Sequence, residues 1–427
     1  MSFDSDVAVL GTGIAPLIAA NLLLNQGKTV LLLNPDWDFF LEDSELPLDP
    51  LLPKVPTPLR LSRNLPTPTL ATLRPLFPGA IEFWHADIQQ YGFHDPDAPH
   101  VRQRGRLWIS AKEESPSSKW GELEKLYLEA SDAGLNPQLL EGPSVLNRFP
   151  GLHSHSKDLS GLFIPRICDV DVVRYRNGLL EFIRERLGPK RVLTRTQEIE
   201  WMPGGIRFSS EGTQNTARLK DGMLVFWTPR LSPWIFYQAK KKSIVPQLPQ
   251  GARLWEQWIL DLERPLDPNA VTIYEDMVFW ANVEGFPDTT ETIERTSPKI
   301  QGLGRPHRKG DKRPYFPELA VLRAGPLVDL KALQLPDVNL NWASTESFQA
   351  LTRLCHDLLQ RERFTIRALR TKAIFEWEHE QSWTLSNEEP SVRVISACDG
   401  PLVEIIRVVK NACENLLSEN LGEPYSS

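Results

Sequence analysis

A short apolar run, a glycine-punctuated turn, a helix of strong helix formers and a second apolar run fall within the first 33 residues. Together they predict an α/β fold built around a parallel, doubly wound sheet. Asp6-Val7-Ala8-Val9-Leu10 reads as a strand buried on both faces, and it ends at Gly11-Thr12-Gly13-Ile14-Ala15-Pro16. Leu17 to Gln26 follows as a helix closed by Gly27 at its C′ position. Thr29-Val30-Leu31-Leu32-Leu33 is then the second buried strand.

Composition sets the frame around this unit. At 427 residues the chain exceeds one ordinary core and suits two or three interleaved domains. Apolar residues at 41% and charged residues at 24% are ordinary for a soluble globular protein. A net charge of −7 speaks against nucleic acid or an anionic membrane surface as partner. The four cysteines, Cys168, Cys355, Cys398 and Cys413, are far apart and show no CxxC spacing. They are neither a disulfide framework nor a zinc site, and they fit a reducing compartment. The acidic start of the chain is unlike a signal peptide, and no apolar run is long enough to span a bilayer. The expectation is a cytoplasmic protein. Nine of the 36 prolines fall between Pro47 and Pro78, which predicts an extended crossing from the first unit to the next helix. A flexible loop is the other reading of that stretch.

Strand, glycine turn, helix, glycine and strand in this order form the context in which GxG is a dinucleotide fingerprint. Gly11 permits a tight turn, and Gly13 lets the backbone approach a pyrophosphate. Thr12, Ile14 and Ala15 complete the turn, where a helix start offers unpaired N–H groups and partial positive charge. Two positions depart from the pattern. Pro16 stands where a third glycine is usual, tolerated in a first helical turn but bulkier. Asn34 stands where a carboxylate usually accepts both ribose hydroxyls; its carboxamide oxygen accepts one such bond, and Asp36 lies two residues on. A βαβ unit that binds nothing is the alternative.

The N-terminal unit resembles that of FAD-dependent oxidoreductases of the D-amino-acid oxidase, glycine oxidase and sarcosine oxidase type. Later segments follow in the same order. Gly105-Arg106-Leu107-Trp108-Ile109-Ser110 is similar to their "G-x-L-x-x-A" strand, and the helix Trp120 to Ala133 comes after it. Leu139 to Leu152 is similar to "L-x-x-x-E-L-x-x-x-x-P-x-L". Leu162-Phe163-Ile164-Pro165 and Asp169 to Val173 are similar to "G-x-x-x-P-x-x-G-x-V-D-P". A helix from Tyr175 to Leu187, a strand at Val192-Leu193 and the strands Ile206 to Phe208 and Met223 to Trp227 complete the series.

The resemblance implies a Rossmann-like FAD-binding domain made of residues 1–90, 150–235 and 390–427. Interleaved with it would be a smaller antiparallel-sheet α+β substrate domain of residues 91–149 and 236–389. It further implies FAD as cofactor and an amine or amino acid as small-molecule substrate. Two departures bear on the cofactor site. Where the family has a strand-ending "A-A-G", this chain has Trp227-Thr228-Pro229. Where the family has a glycine-rich turn opening the last helix, it has Ser396-Ala397-Cys398-Asp399-Gly400-Pro401-Leu402, with one glycine. Glycines at such places let backbone approach a ligand. Their loss is the trace of a site altered or abandoned.

Other motifs carry weaker signals. The turn Gly400-Pro401-Leu402, before a helix from Val403 to Leu417, can present backbone N–H groups to the flavin, or can be a plain helix start. His153 and His155 form an H-x-H pair with no evident third ligand, so a solvated loop is the preferred reading and no metal is expected. The basic runs Arg305 to Arg313 and Lys240 to Lys242 read as solvated loops ahead of anion sites. Glu376-Trp377-Glu378-His379-Glu380, after the strand Thr371 to Phe375, can hold an ammonium group or be an ordinary half-exposed strand. No lysine or arginine is singled out as catalytic. The leading reading is an FAD-dependent oxidoreductase. The other is a catalytically degenerate protein on the same fold, whose tryptophan and proline excess serves a protein partner. The Rab GDP-dissociation inhibitors, which begin with a similar Leu-Gly-Thr-Gly turn, use the fold without flavin.

Overall fold

The computed structural model describes residues 1–35, 101–102, 105–111, 120–132, 134–149, 152, 159–165, 169–170, 172–227, 231–241, 251–262, 271–274, 277–282, 318–328, 345–359, 364–376, 382–386, 391–396 and 402–419. The proline-rich stretch, the H-x-H pair and the basic run Arg305 to Arg313 lie outside them.

The N-terminal unit forms as the apolar pattern requires. β1 (Ser2–Leu10) and β2 (Val30–Leu33) pair in parallel, with Val7 opposite Val30 and Leu10 opposite Leu33. Between them runs α1 (Ile14–Asn25). Its C-terminus is a Schellman motif: Lys28 N–H donates to Leu23 O at 3.0 Å and Gly27 N–H to Leu24 O at 3.0 Å. Gly27 takes φ +77°, the left-handed conformation that closes the motif.

Further strands extend the sheet on both sides of β1. β8 (Val192–Leu193) pairs with β2, while β11 (Thr213–Phe226) and then β18 (Ser391–Ile395) lie beyond β1, all parallel. The order is β8–β2–β1–β11–β18, with β17 (Ser382–Ser386) antiparallel at the edge. α1, α4 (Val172–Leu187) and α7 (Leu402–Glu419) cover one face with Leu17, Ile18, Leu180, Ile183, Val409 and Leu416. A meander covers the other, formed by β9 (Thr196–Met202), β10 (Gly205–Ser210) and the first half of β11. The β10–β11 hairpin turns on Glu211-Gly212, both at positive φ, which is the type I′ geometry that matches strand twist. α5 (Ser232–Lys241) seals this side through Ile235, and Trp234 Nε1–H donates to Ile199 O at 2.7 Å.

A second sheet is mostly antiparallel, in the order β16–β12–β15–β14–β13–β4–β6–β5. Its strands are β4 (Arg106–Ala111), β5 (Gln138–Glu141), β6 (Leu159–Ile164), β12 (Gly251–Leu262), β13 (Val271–Tyr274), β14 (Met277–Asn282), β15 (Glu318–Val328) and β16 (Phe364–Glu376). α3 (Pro143–Arg148) and α6 (Thr345–Arg353), continued by a π-helical turn at Leu354–Leu358, cover one face through Val145, Leu351 and Leu354. Arg323 Nη1 donates to Ser347 Oγ at 2.6 Å, tying α6 to β15 inside this core. α2 (Trp120–Asp132) packs on β6, and β3 (Val101–Arg102) pairs with β7 (Asp169–Val170). Among the described residues no helix is long and apolar enough to cross a membrane.

A polar clamp fixes the base of the parallel sheet. Thr29 donates to Asp6 Oδ2 through both N–H and hydroxyl, each at 2.7 Å. Asp6 N–H donates back to Thr29 Oγ1 at 2.9 Å. Partial burial pushes the Asp6 carboxyl up, but the Thr29 hydrogen bonds and the charges of Lys28 and Lys220 outweigh it, leaving the pKa below the ordinary aspartate value. A lowered native pKa means that ionised Asp6 stabilises the fold above its unfolded pKa. That contribution is lost as pH falls through the native value. Asp6→Ala is expected to cost about 1–2 kcal/mol at neutral pH, from charge-assisted bonds at a partly solvated site. The difference from the parent, read by urea unfolding, shrinks below about pH 4.

Candidate functional site

The order of the first sheet reverses at β1. From β1 the chain moves outward through β2 and β8, and later through β11 and β18 on the other side. Ligands of open α/β sheets bind outside the carboxyl ends of the strands at such a point. Here those ends are Leu10 of β1 and Phe226 of β11, with the glycine turn between β1 and α1.

Each residue of the turn has a distinct local reason. Gly11 N–H donates to Leu33 O at 3.1 Å, which carries the β1–β2 ladder one residue further. A Cβ on Gly11 would stand 2.8 Å from Phe226 Cβ and 3.5 Å from Pro16 Cγ, so the bare Cα is what admits Phe226. Gly11 does not take a positive φ; its place in the fingerprint is one of close packing. Gly13 has φ 75° and ψ −156°, a region essentially reserved for glycine. From there α1 starts at Ile14 with no side-chain cap and no acidic residue in its first turn. Its first-turn N–H groups and the positive end of its dipole are therefore not offset by its own N-cap or first-turn side chains. Pro16, third in the helix, removes one of those donors.

The neighbouring positions are closely packed. Thr12 and Ile14 are each 7% exposed and Ala15 1%. Asn34 is fully buried at the end of β2; its N–H donates to Leu193 O and its carbonyl accepts from Thr196 N–H, both at 2.8 Å. This holds Asn34 between β2 and the β8–β9 turn. Leu402 is the first residue of α7, which packs against α1. Asp36, Gly400 and Pro401 lie outside the described residues, as do Thr228, Pro229 and Glu378 to Glu380. The structure thus brings Gly11 to Ala15, Asn34 and the start of α7 around the carboxyl ends of β1, β2 and β11.

Sequence reasoning passed over Phe226. It is 1% exposed and belongs to the apolar core shared by α1, α4 and α7. The signal was its neighbourhood, an aromatic directly before Trp227-Thr228-Pro229. Also unmarked were the buried charged residues Arg393 on β18, Arg106 on β4, and Glu256 opposite Arg323 across β12 and β15. No cluster of metal-ligating side chains occurs among the described residues. Burial, with the Glu414 charge next in effect, pushes the Cys413 thiol up to about 12, so it offers no thiolate.

No family model matches the sequence, and no curated protein matches it. Solved structures do match in fold. Glycine oxidase from Bacillus cereus ATCC 14579 superposes with a TM-score of 0.59 at 12% identity, covering 97% of this chain and 95% of that one. L-proline dehydrogenase from P. horikoshii gives 0.60 at 11% identity, covering 98% and 95%. L-amino acid deaminase from Proteus vulgaris gives 0.57 at 15% identity, covering 100% and 92%.

The Gly11–Phe226 contact is directly testable. Gly11→Ala is expected to lose about 1–3 kcal/mol in chemical denaturation, the usual cost of overpacking. The same change in a Phe226→Gly background is expected to cost clearly less, because the Cβ that the new methyl group would meet is then gone. The chain has the fold of FAD-dependent oxidoreductases of the D-amino-acid oxidase, glycine oxidase and sarcosine oxidase type.

Proposed function

We propose that this protein is an FAD-dependent oxidoreductase acting on an amine or amino-acid-like small molecule. The observation that carries the reading is Gly13. A glycine-only backbone conformation opens an uncapped helix at the point where the strand order reverses. That arrangement fits a pyrophosphate: backbone N–H groups and a helix dipole converge, with no side chain in between. The whole-chain likeness to proteins named as amino-acid oxidases and deaminases supports the substrate class.

Gly11, Thr12, Gly13, Ile14 and Ala15 would hold the diphosphate. Ile14 and Ala15 donate their N–H groups, and Gly13 keeps the approach clear of a Cβ. Asn34 would give the ribose one neutral acceptor, assisted by Asp36. Gly400, Pro401 and Leu402 would present the start of α7 to the same ligand. Bound there, FAD would supply a two-electron acceptor for the hydride leaving the substrate carbon. One observation favours the second reading, an assembly or interaction subunit with a degenerate site. Asn34 is wholly enclosed, so a ribose reaches it only if its surroundings open.

The protein purified without added cofactor is expected to show the two visible absorption bands of oxidised flavin. Gly13→Ala places a Cβ in a conformation strained by about 1–3 kcal/mol and is expected to abolish FAD binding while far-UV circular dichroism stays native. Retention of full flavin occupancy by that variant would place the site elsewhere. Asn34→Asp separates the two readings. With ribose hydroxyls as partners, the carboxylate is expected to tighten FAD by up to about tenfold. In a closed, empty site it is a charge taken out of water, and thermal stability falls with no binding gained.

A further inference from the structure

We propose that Phe226 is a plug in the floor of the dinucleotide crevice, so that this one side chain sets a loose, exchangeable hold on the cofactor. The inference rests on the FAD reading above and deepens it. Phe226 is the last residue of β11, and its side chain lies on the same face as Leu224, under the helices. It belongs to one apolar cluster with Ile14, Ala15 and Ile18 at the start of α1 and with Ile405 and Ile406 in the first turns of α7. It therefore shares a core with the two helices that follow β1 and β18.

The ring cannot retreat with its backbone. Val225 is opposite Leu10 on β1, Phe226 is opposite Ile395 on β18, and Trp227 N–H donates to Ile395 O at 2.8 Å. Toward β1 there is no slack either, since Gly11 approaches so closely that even a methyl group would come within 2.8 Å of Phe226 Cβ. Pro16 is packed against the same spot. An anion held by the first turn of α1 is drawn by N–H groups and dipole, whereas the floor beneath it is a large apolar ring with no donor. A ligand that runs from α1 toward α7 must rest on that ring or displace it, and either way part of its binding energy is consumed. A small side chain here would leave the same donors with an open floor.

Phe226→Val keeps a β-branched strand former and removes the ring. FAD is titrated into the parent and the variant, read by flavin fluorescence quenching and by the shift in melting temperature. The variant is expected to bind FAD at least about tenfold more tightly and to keep a larger fraction of it through gel filtration than the parent does. Adding Gly13→Ala to the variant is expected to erase the gain, which locates the gain in this crevice. Equal or weaker binding by a variant with parental circular dichroism overturns the plug and leaves the FAD reading standing. Binding by neither protein overturns both. Should Phe226→Val fail to fold, Phe226→Leu, which keeps more of the apolar volume, is measured against the same expectations.

Discussion

The register of β1 decides where every element of the crevice stands. β1 is buried on both faces and hydrogen-bonded along both edges, to β2 and to β11. Because side chains alternate, a slip of one residue would exchange Val7 and Val9, which face the helices, with Ala8 and Leu10, which face the meander. The apolar pattern alone tolerates such an exchange, since all four side chains are apolar. The polar base does not. Asp6 and Thr29 satisfy each other reciprocally, and Lys28 reaches Asp221 at 2.9 Å, at the register shift where β11 exchanges β10 for β18 as its second neighbour. Three strands are thus pinned at one end, and the glycine turn at the other end inherits their alignment.

The glycines of the first unit divide three tasks that a sequence motif runs together. Gly27 closes α1 with a left-handed residue. Gly13 takes up a conformation that other residues reach only under strain, and this turns the start of α1 outward. Gly11 gives up its side chain to a neighbouring strand. α1 itself is apolar on nearly all sides because sheet, α4 and α7 surround it. No charged side chain in its first turn offsets its dipole, so its N-terminus is a strong local source of positive potential.

Local signals were legible where local chemistry decides the outcome. The two buried strands, Gly27 as the helix stop and the helix ending at Leu187 all follow from short windows of sequence. α1 begins at Ile14, earlier than its run of helix formers, because Gly13 rather than composition sets the start. Phe226 was not legible. A phenylalanine at the end of an apolar strand reads as core anywhere, and only pairing with β1, some 200 residues away in sequence, puts it against Gly11. The enclosure of Asn34 was hidden for the same reason, since it depends on the β8–β9 turn. The register opposing Glu256 to Arg323 joins strands far apart in sequence, and no spacing announces it.

β11 belongs to two layers at once: its first half forms a local hairpin with β10 while already pairing with β1, and its second half lies between β1 and β18 in the parallel sheet. During synthesis β1 and β2 leave the ribosome long before β11 exists. Until then, β1 presents an unpaired edge on an apolar strand, the template on which chains associate with one another. The interval before β11 is made is therefore the window in which chains can associate, and slower translation lengthens it. The hairpin then closes quickly through its own turn and delivers the missing strand already extended.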